Sequence, residues 1–117
     1  MALRILVLGR NAPLAERAAK ATGFFARLKG LLGRPGLPAG EALIFERCRS
    51  IHTIGMRFPI DAVFVDRAWT VVALHEDVRP GRLIAPVTGA WGVIETASGI
   101  ASQTGLRVGD RLHLVTA

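Results

Sequence analysis

Residues 50–66, SIHTIGMRFPIDAVFVD, are the most informative stretch of this 117-residue sequence. Its first half is polar and rich in turn-forming residues, and its second half contains Ile60–Val65, an apolar run with the length of a buried strand. Residues 70–74 predict another strand, and the short Asp66-Arg67-Ala68 connection predicts that the two form a hairpin. Their nearly continuous apolar character indicates that both faces of the hairpin are covered.

Further strands are predicted on both sides of this hairpin, at residues 3–8, 42–45, 91–95 and 111–115. Residues 14–21 are ambiguous, because their composition favours a helix while a short edge strand is also compatible. Residues 23–33 carry apolar side chains at helical spacing behind a candidate N-cap, Thr22, which predicts a helix. Residues 78–87 are predicted to be mostly loop, and residues 99–109 a turn region.

The pattern as a whole predicts a single domain over residues 1–117 of mainly β (α+β) class. We expect a small barrel-like or strongly curved sheet, mixed or antiparallel, with one covering helix near residues 23–33. The sequence has no run of βαβ units, which disfavours a dinucleotide-binding fold.

Composition narrows the class of protein. Half of the residues are hydrophobic and 21% are charged, so the chain can bury a core. Cys48 is the single cysteine, which excludes an internal disulfide and fits a reducing cytoplasm. Residues 3–8 are interpreted as a strand and not as a signal peptide, and no run reaches the length of a membrane span. We therefore expect a soluble, cytoplasmic protein.

The net charge of +6 raises the question of an acidic partner. The arginines are scattered from Arg4 to Arg111 without a basic tract, and the chain has no tyrosine and few aromatic residues for base stacking. Nucleic-acid binding is therefore the least favoured of the functional hypotheses.

Cys48, His52 and Met56 supply the ligand types of a blue-copper centre. Such a centre needs another histidine, usually upstream, and His52 is the first in the chain. The neighbouring arginines also disfavour a cation. No metal and no cofactor are expected.

Asp61 shares a strand face with Val63 and Val65, so its carboxylate must find hydrogen bonds or a cation. Arg57, His52 and the amides of residues 52–57 are the nearest candidates. We favour a structural role for Asp61, and the alternative is that it orients His52 as a general base. Glu95 lies in another apolar strand, and convergence of His52, Asp61 and Glu95 would suit proton transfer.

An ordered string of motifs resembles the domain-of-unknown-function 192 family, a family of small prokaryotic proteins. The matching segments are GLLGR (30–34), SIHT (50–53), MRFPIDAVFVD (56–66), IE (94–95), SG (98–99) and GD (109–110). The resemblance implies a compact β-rich domain, favours a strand at residues 14–21, and implies no activity. Many relatives resemble exported proteins with a leading signal sequence, which is not expected here.

The function expected first is a non-enzymatic ligand-binding or accessory domain. Its ligand-binding candidates are His52, Thr53, Met56, Arg57 and Asp61, around a groove for a small anionic ligand or a protein partner. A small hydrolase or isomerase using His52 with Asp61 or Glu95 is the alternative, and nucleic-acid or phosphate binding through an arginine patch is the third hypothesis. The sequence leaves the oligomeric state open.

Overall fold

The computed structural model describes residues 3–10, 12–22 and 34–116. The strands are β1 (Leu3–Val7), β2 (Ala15–Lys20), β3 (Glu41–Glu46), β4 (Ile51–His52), β5 (Ile60–Val65), β6 (Val71–Val78), β7 (Leu83–Ile84), β8 (Gly92–Ala97) and β9 (Leu112–Thr116). A short helix, α1 (Ile100–Thr104), follows β8. The helix predicted near residues 23–33 lies outside the described residues.

Seven strands form one sheet in the order β6-β5-β8-β3-β2-β1-β9, in which the β2/β3 pair is parallel and the other pairs are antiparallel. The sheet curls into a half-barrel. Thr70 and Arg111, just before the two edge strands, form an isolated antiparallel bridge. We call this bridge the clasp, because it joins the two edges of the sheet at one end. The mainly β, strongly curved fold predicted from the sequence is confirmed.

Apolar side chains pack on both faces of the sheet. The helix face is covered by α1 and includes Val63, Val65 and Ile94. The opposite face, which we call the ribbon face, is covered by the two-stranded antiparallel β4/β7 ribbon and includes Ala62, Phe64 and Val93. All six residues of β5 are buried, as expected for a strand with both faces covered.

The segment 14–21 contains the strand β2, which confirms the choice favoured by the family resemblance. Its buried residues, Ala15 and Ala18, are three positions apart because the pairing with β1 shifts between them. The amides of Glu16 and Arg17 both donate to the Gly40 carbonyl, the geometry of a β-bulge. The bulge thus gives the strand a spacing of apolar residues that imitates a helix.

Two short elements were not predicted. Residues 99–109, predicted as a turn region, contain α1, and residues 78–87, which are mostly loop as predicted, contain the two-residue strand β7. Both elements are very short, with five and two residues, so neither produces a periodic pattern.

Candidate functional site

Asp61 lies on the helix face of β5 and is only 1% exposed. Its Oδ1 accepts a hydrogen bond from the Asp77 amide at 2.9 Å. Its Oδ2 accepts from the amides of Gly99, at 3.1 Å, and Ala101, at 3.0 Å. The carboxylate therefore joins β5 to β6 and to the start of α1, consistent with the structural role favoured above.

These partners differ from the ones that the sequence predicted. Arg57, His52 and the amides of residues 52–57 make no hydrogen bond to Asp61 in the described part of the chain. The amides become available because α1 begins at Ile100 and because β6 bulges at Asp77, whose φ is 51°. Neither feature is visible in the spacing of the sequence.

Thr53, which follows β4, is completely buried. Its hydrogen bonds join the end of β4 to the loop before β7. Its hydroxyl donates to the Arg79 carbonyl at 2.6 Å and accepts from the Arg82 amide at 2.9 Å. Its own amide donates to the Arg82 carbonyl. Backbone groups therefore already occupy the hydroxyl of this predicted ligand-binding residue.

The other predicted ligand-binding residues separate between core and surface. Met56 is buried within the ribbon-face cluster. His52 and Arg57 are exposed, and His52 lies opposite Leu83, which is 76% exposed. The structure thus places His52 in solvent and Asp61 and Met56 in the interior.

Glu95 lies on the ribbon face, because it is paired with Leu43 on one side and Ala62 on the other. Asp61 is paired with Thr96 and therefore points to the opposite face. The two carboxylates are on adjacent strands, yet the sheet separates them. The two carboxylates therefore do not come together with His52, although the proton-transfer hypothesis requires that they do.

Glu95 is 6% exposed, and its carboxyl group makes no hydrogen bond within the described ranges. Burial raises the pKa of this carboxyl from 4.5 to about 7. His75 is paired with Ala62 on the other side, so Glu95 and His75 flank a small residue on the same face. His75 also packs its ring against Phe64, with centroids 5.6 Å apart.

A groove of about 730 Å³ lies at the clasp end of the sheet. It is lined by Arg47 and Arg49 after β3, by Asp66–Ala68 in the β5/β6 hairpin, and by Gly89–Trp91 before β8. Val65 is paired with Gly92, whereas Asp61 is paired with Thr96, so the groove and Asp61 are at opposite ends of β5. We call it the arginine groove.

Backbone hydrogen bonds hold Trp91 in the wall of the arginine groove. Its amide donates to the Val65 carbonyl at 2.7 Å, and its carbonyl accepts from the Cys48 amide at 2.8 Å. The second bond places Arg47 and Arg49, on either side of Cys48, next to the tryptophan. Arg47 has a φ of 55°, a left-handed conformation that turns the chain as it leaves β3.

The indole of Trp91 meets a second indole and a cation. The Trp69 ring packs edge to face with it at 5.8 Å between centroids. The Arg67 guanidinium carbon lies 5.7 Å from the centroid of the Trp91 ring, a cation–π distance. The Trp91 Nε1 is buried and has no hydrogen-bond acceptor in the structure as described.

The arginine groove has an excess of positive charge. Asp66 is its acidic residue, and Oδ1 of that side chain accepts from the amides of Ala68 and Thr70. Among the described residues, three arginines outside the groove form ion pairs with carboxylates: Arg4 with Glu16, Arg10 with Asp110 and Arg79 with Asp77. No such ion pair involves Arg49 or Arg67 within those ranges. The groove is therefore suited to an anion.

Metal-ligand clusters and membrane-spanning helices are both absent from the described residues. No three His, Cys, Asp or Glu side chains come close enough together to hold a metal ion. The thiol of Cys48 donates to the Ser50 carbonyl at 3.0 Å. Within the same ranges, no helix combines the length and the apolar character required to cross a membrane.

The fold places the chain among small β proteins with a curled, half-barrel sheet, and solved structures share this architecture. A protein of unknown function from Novosphingobium aromaticivorans DSM 12444 matches with a TM-score of 0.83 and 22% identity, over 96% of this chain and 84% of that one. A Sinorhizobium meliloti 1021 protein, described as a "putative transcription regulator", matches with a TM-score of 0.78 and 23% identity, over 96% and 91%. These likenesses establish the fold.

The family follows from the sequence match. The chain belongs to the domain-of-unknown-function 192 family, DUF192, described as "Uncharacterized ACR", whose model matches residues 7–114. A relative from Thermococcus sibiricus (strain DSM 12597 / MM 739), described as "UPF0127 protein", is 34% identical over 95 residues. The match covers 76% of this chain and 60% of that relative. The resemblance identified from the motifs is confirmed, and the family is one of unknown function.

Proposed function

We propose that this protein is a non-enzymatic binding domain that takes a small anionic ligand in the arginine groove. The observation that carries the proposal is that Arg49 and Arg67 line one groove together with Trp91, without a carboxylate paired to either arginine in the described ranges. Guanidinium groups in such positions bind carboxylate and phosphate oxygens through two parallel hydrogen bonds. We propose that the protein acts in the cytoplasm, where the thiol of its single cysteine, Cys48, stays reduced.

The size and placement of the groove also support binding. About 730 Å³ is within the range of small-molecule sites. The walls come from loops that the ends of β3, β5 and β8 hold in place, so the site needs little ordering when a ligand arrives. The position differs from the sequence-based candidate site around His52 and Arg57.

The test is titration calorimetry with inorganic phosphate and with citrate on four variants. Arg49→Ala and Arg67→Ala should each weaken binding about tenfold or more, since a hydrogen bond to a charged group contributes roughly 1.5–3 kcal/mol. Arg107→Ala is the matched control, because it removes the same charge from an exposed position outside the groove. Arg57→Ala examines the sequence-based candidate site.

Each outcome has a distinct meaning. Loss confined to Arg49→Ala and Arg67→Ala supports the proposal. Equal loss in all four variants would indicate attraction to net charge alone, and loss confined to Arg57→Ala would move the site to the β4/β7 ribbon. The absence of saturable binding by either anion would refute the proposal.

A further inference from the structure

We infer that the ligand of the arginine groove joins a flat aromatic ring to a phosphate, and that nucleoside monophosphates are the class that fits. This inference rests on the proposed function and specifies its ligand. Three features of the groove lead to it: its volume, its aromatic wall and the arrangement of its charges.

The volume exceeds what an inorganic anion needs. A groove of about 730 Å³ has several times the space of a tetrahedral oxyanion. Sites of this size bury most of the surface of a ligand that has an organic body as well as a charged group. The space that an anion alone would leave in the groove is therefore expected to hold the organic body of the ligand.

The wall of the groove indicates that this body is flat. Trp91 is half-buried, and the exposed Arg67 lies 5.7 Å from the centre of its ring. Tryptophan rings and guanidinium planes are the side-chain surfaces on which nucleobases stack. The arginine and the indole together provide such a surface at the mouth of the groove.

The charges are arranged for an acidic group beside that surface. The bond from the Cys48 amide to the Trp91 carbonyl, at 2.8 Å, holds the backbone around Arg47 and Arg49 next to the backbone of Trp91. Both side chains are exposed and line the groove. A ring on Trp91 and Arg67 would place a linked phosphate near Arg49, which together with Arg67 supplies the positive charge of the proposed anion site.

The experiment compares four probes by titration calorimetry: inorganic phosphate, ribose 5-phosphate, adenosine and AMP. We expect AMP to bind about tenfold or more tightly than ribose 5-phosphate, because stacking adds to the contacts of the phosphate. Adenosine should bind at least tenfold more weakly than AMP. Fluorescence of a Trp69→Phe variant, in which Trp91 is the remaining tryptophan, should change on AMP binding.

Variants of Trp91 separate stacking from charge. Trp91→Leu should lower the affinity for AMP to that for ribose 5-phosphate measured on the same variant. Trp91→Phe should keep most of the preference for AMP, because it retains a ring. Circular dichroism of each variant establishes that the sheet is intact, and Trp91→Phe provides the comparison where Trp91→Leu fails to fold.

The outcomes distinguish this inference from the proposed function. Equal affinities for AMP, ribose 5-phosphate and phosphate would overturn the inference while the anion site stands. Binding of none of the phosphates would overturn both. Salt-sensitive binding of a single-stranded oligonucleotide without binding of AMP would also overturn the inference, because the site would then require a polymer.

Discussion

Asp61 and Glu95 are both almost completely buried on adjacent strands, yet the two carboxyl groups differ in the hydrogen bonds that they accept. Asp61 accepts hydrogen bonds from three backbone amides. Glu95 accepts none within the described ranges, and burial raises its pKa to about 7. Burial alone therefore does not determine whether a carboxyl group in this sheet accepts hydrogen bonds from the backbone.

The difference originates in the backbone that surrounds each side chain. Near Asp61, β6 bulges and α1 begins, so both segments present amides that no sheet partner uses. Near Glu95, continuous pairing runs from Leu43 to Ala62 across three strands, and the ladder occupies the amides. In this sheet, irregular backbone has amides that can donate to a buried carboxylate, whereas the amides of regular strands already donate to neighbouring strands.

The largest expected effect is on Asp61. Asp61→Asn replaces an acceptor oxygen with a donor and turns it toward backbone amides that are also donors. We expect the free energy of unfolding at pH 7 to fall by about 2–4 kcal/mol. Urea denaturation measures the loss, and Glu95→Gln is the matched acid-to-amide control. Comparable losses in the two variants would remove the contrast between the two sites.

The next effect is the pH dependence contributed by Glu95. Its pKa is higher in the folded protein than in the unfolded chain, where it is near 4.5, so the folded state binds more protons between those values. Stability should therefore fall as the pH rises from about 4.5 to about 7, by up to about 3 kcal/mol.

Glu95→Gln should be more stable than the wild type above pH 7, and the two should converge near pH 4.5. Urea unfolding at pH 5, 6, 7 and 8 measures both proteins under matched conditions. If the two proteins kept the same slope through this range, Glu95 would not carry the elevated pKa.

Thr53 gives a smaller, uncharged version of the Asp61 arrangement. Thr53→Val keeps the shape of the side chain but leaves the Arg79 carbonyl and the Arg82 amide without their hydroxyl partner. We expect a loss of about 1–2 kcal/mol in the free energy of unfolding. Thr53→Ser, which retains the hydroxyl, should lose less than Thr53→Val, and the reverse order would argue against these hydrogen bonds.

The smallest expected effect is on Asp110. Its contribution to stability is lost as the pH falls, whereas that of Glu95 is lost as the pH rises. Partial burial, which raises the pKa of Asp110, is outweighed by hydrogen bonds from the Arg107 amide and from Arg10 and by the charge of these arginines, so the pKa is lowered. Its ionised form therefore stabilises the fold above the unfolded pKa, and this contribution disappears as the pH falls through the folded value.

Asp110→Asn should cost less than about 1 kcal/mol at pH 7, because the pair with Arg10 is partly exposed. The difference between the variant and the wild type should shrink as the pH falls below the unfolded value of 3.8, as thermal unfolding over a descending pH series would show. A cost that stays constant over that series would mean that charge is not the cause.

The strands of this protein could largely be predicted, because most of them carry strong local patterns. Ile60–Val65 is apolar except for Asp61, and it forms β5, whose residues are all buried. The segment with Ala15 and Ala18 could not be resolved by pattern alone, since a bulge spaces its buried residues as a helix would. Only the family resemblance favoured the strand.

The candidate site was less accessible to sequence reasoning. Spacing alone suggested that Asp61 and Glu95 could meet, whereas the register of β5 against β8 places them on opposite faces. The arginine groove draws on three loops far apart in sequence, which the curl of the sheet brings together. The nearest sequence signal is the pair of arginines around Cys48 and the Arg67 that precedes Trp69, none of which forms a recognised motif.

The bulge at Asp77 also affects how this protein meets other chains. It lies in β6, an edge strand whose outer backbone groups beyond the clasp could accept a strand from another molecule. A left-handed residue and the exposed charges of Glu76, Asp77 and Arg79 interrupt that edge. A substitution that straightened β6 would remove an amide from Asp61 and create a template for aggregation at the same time.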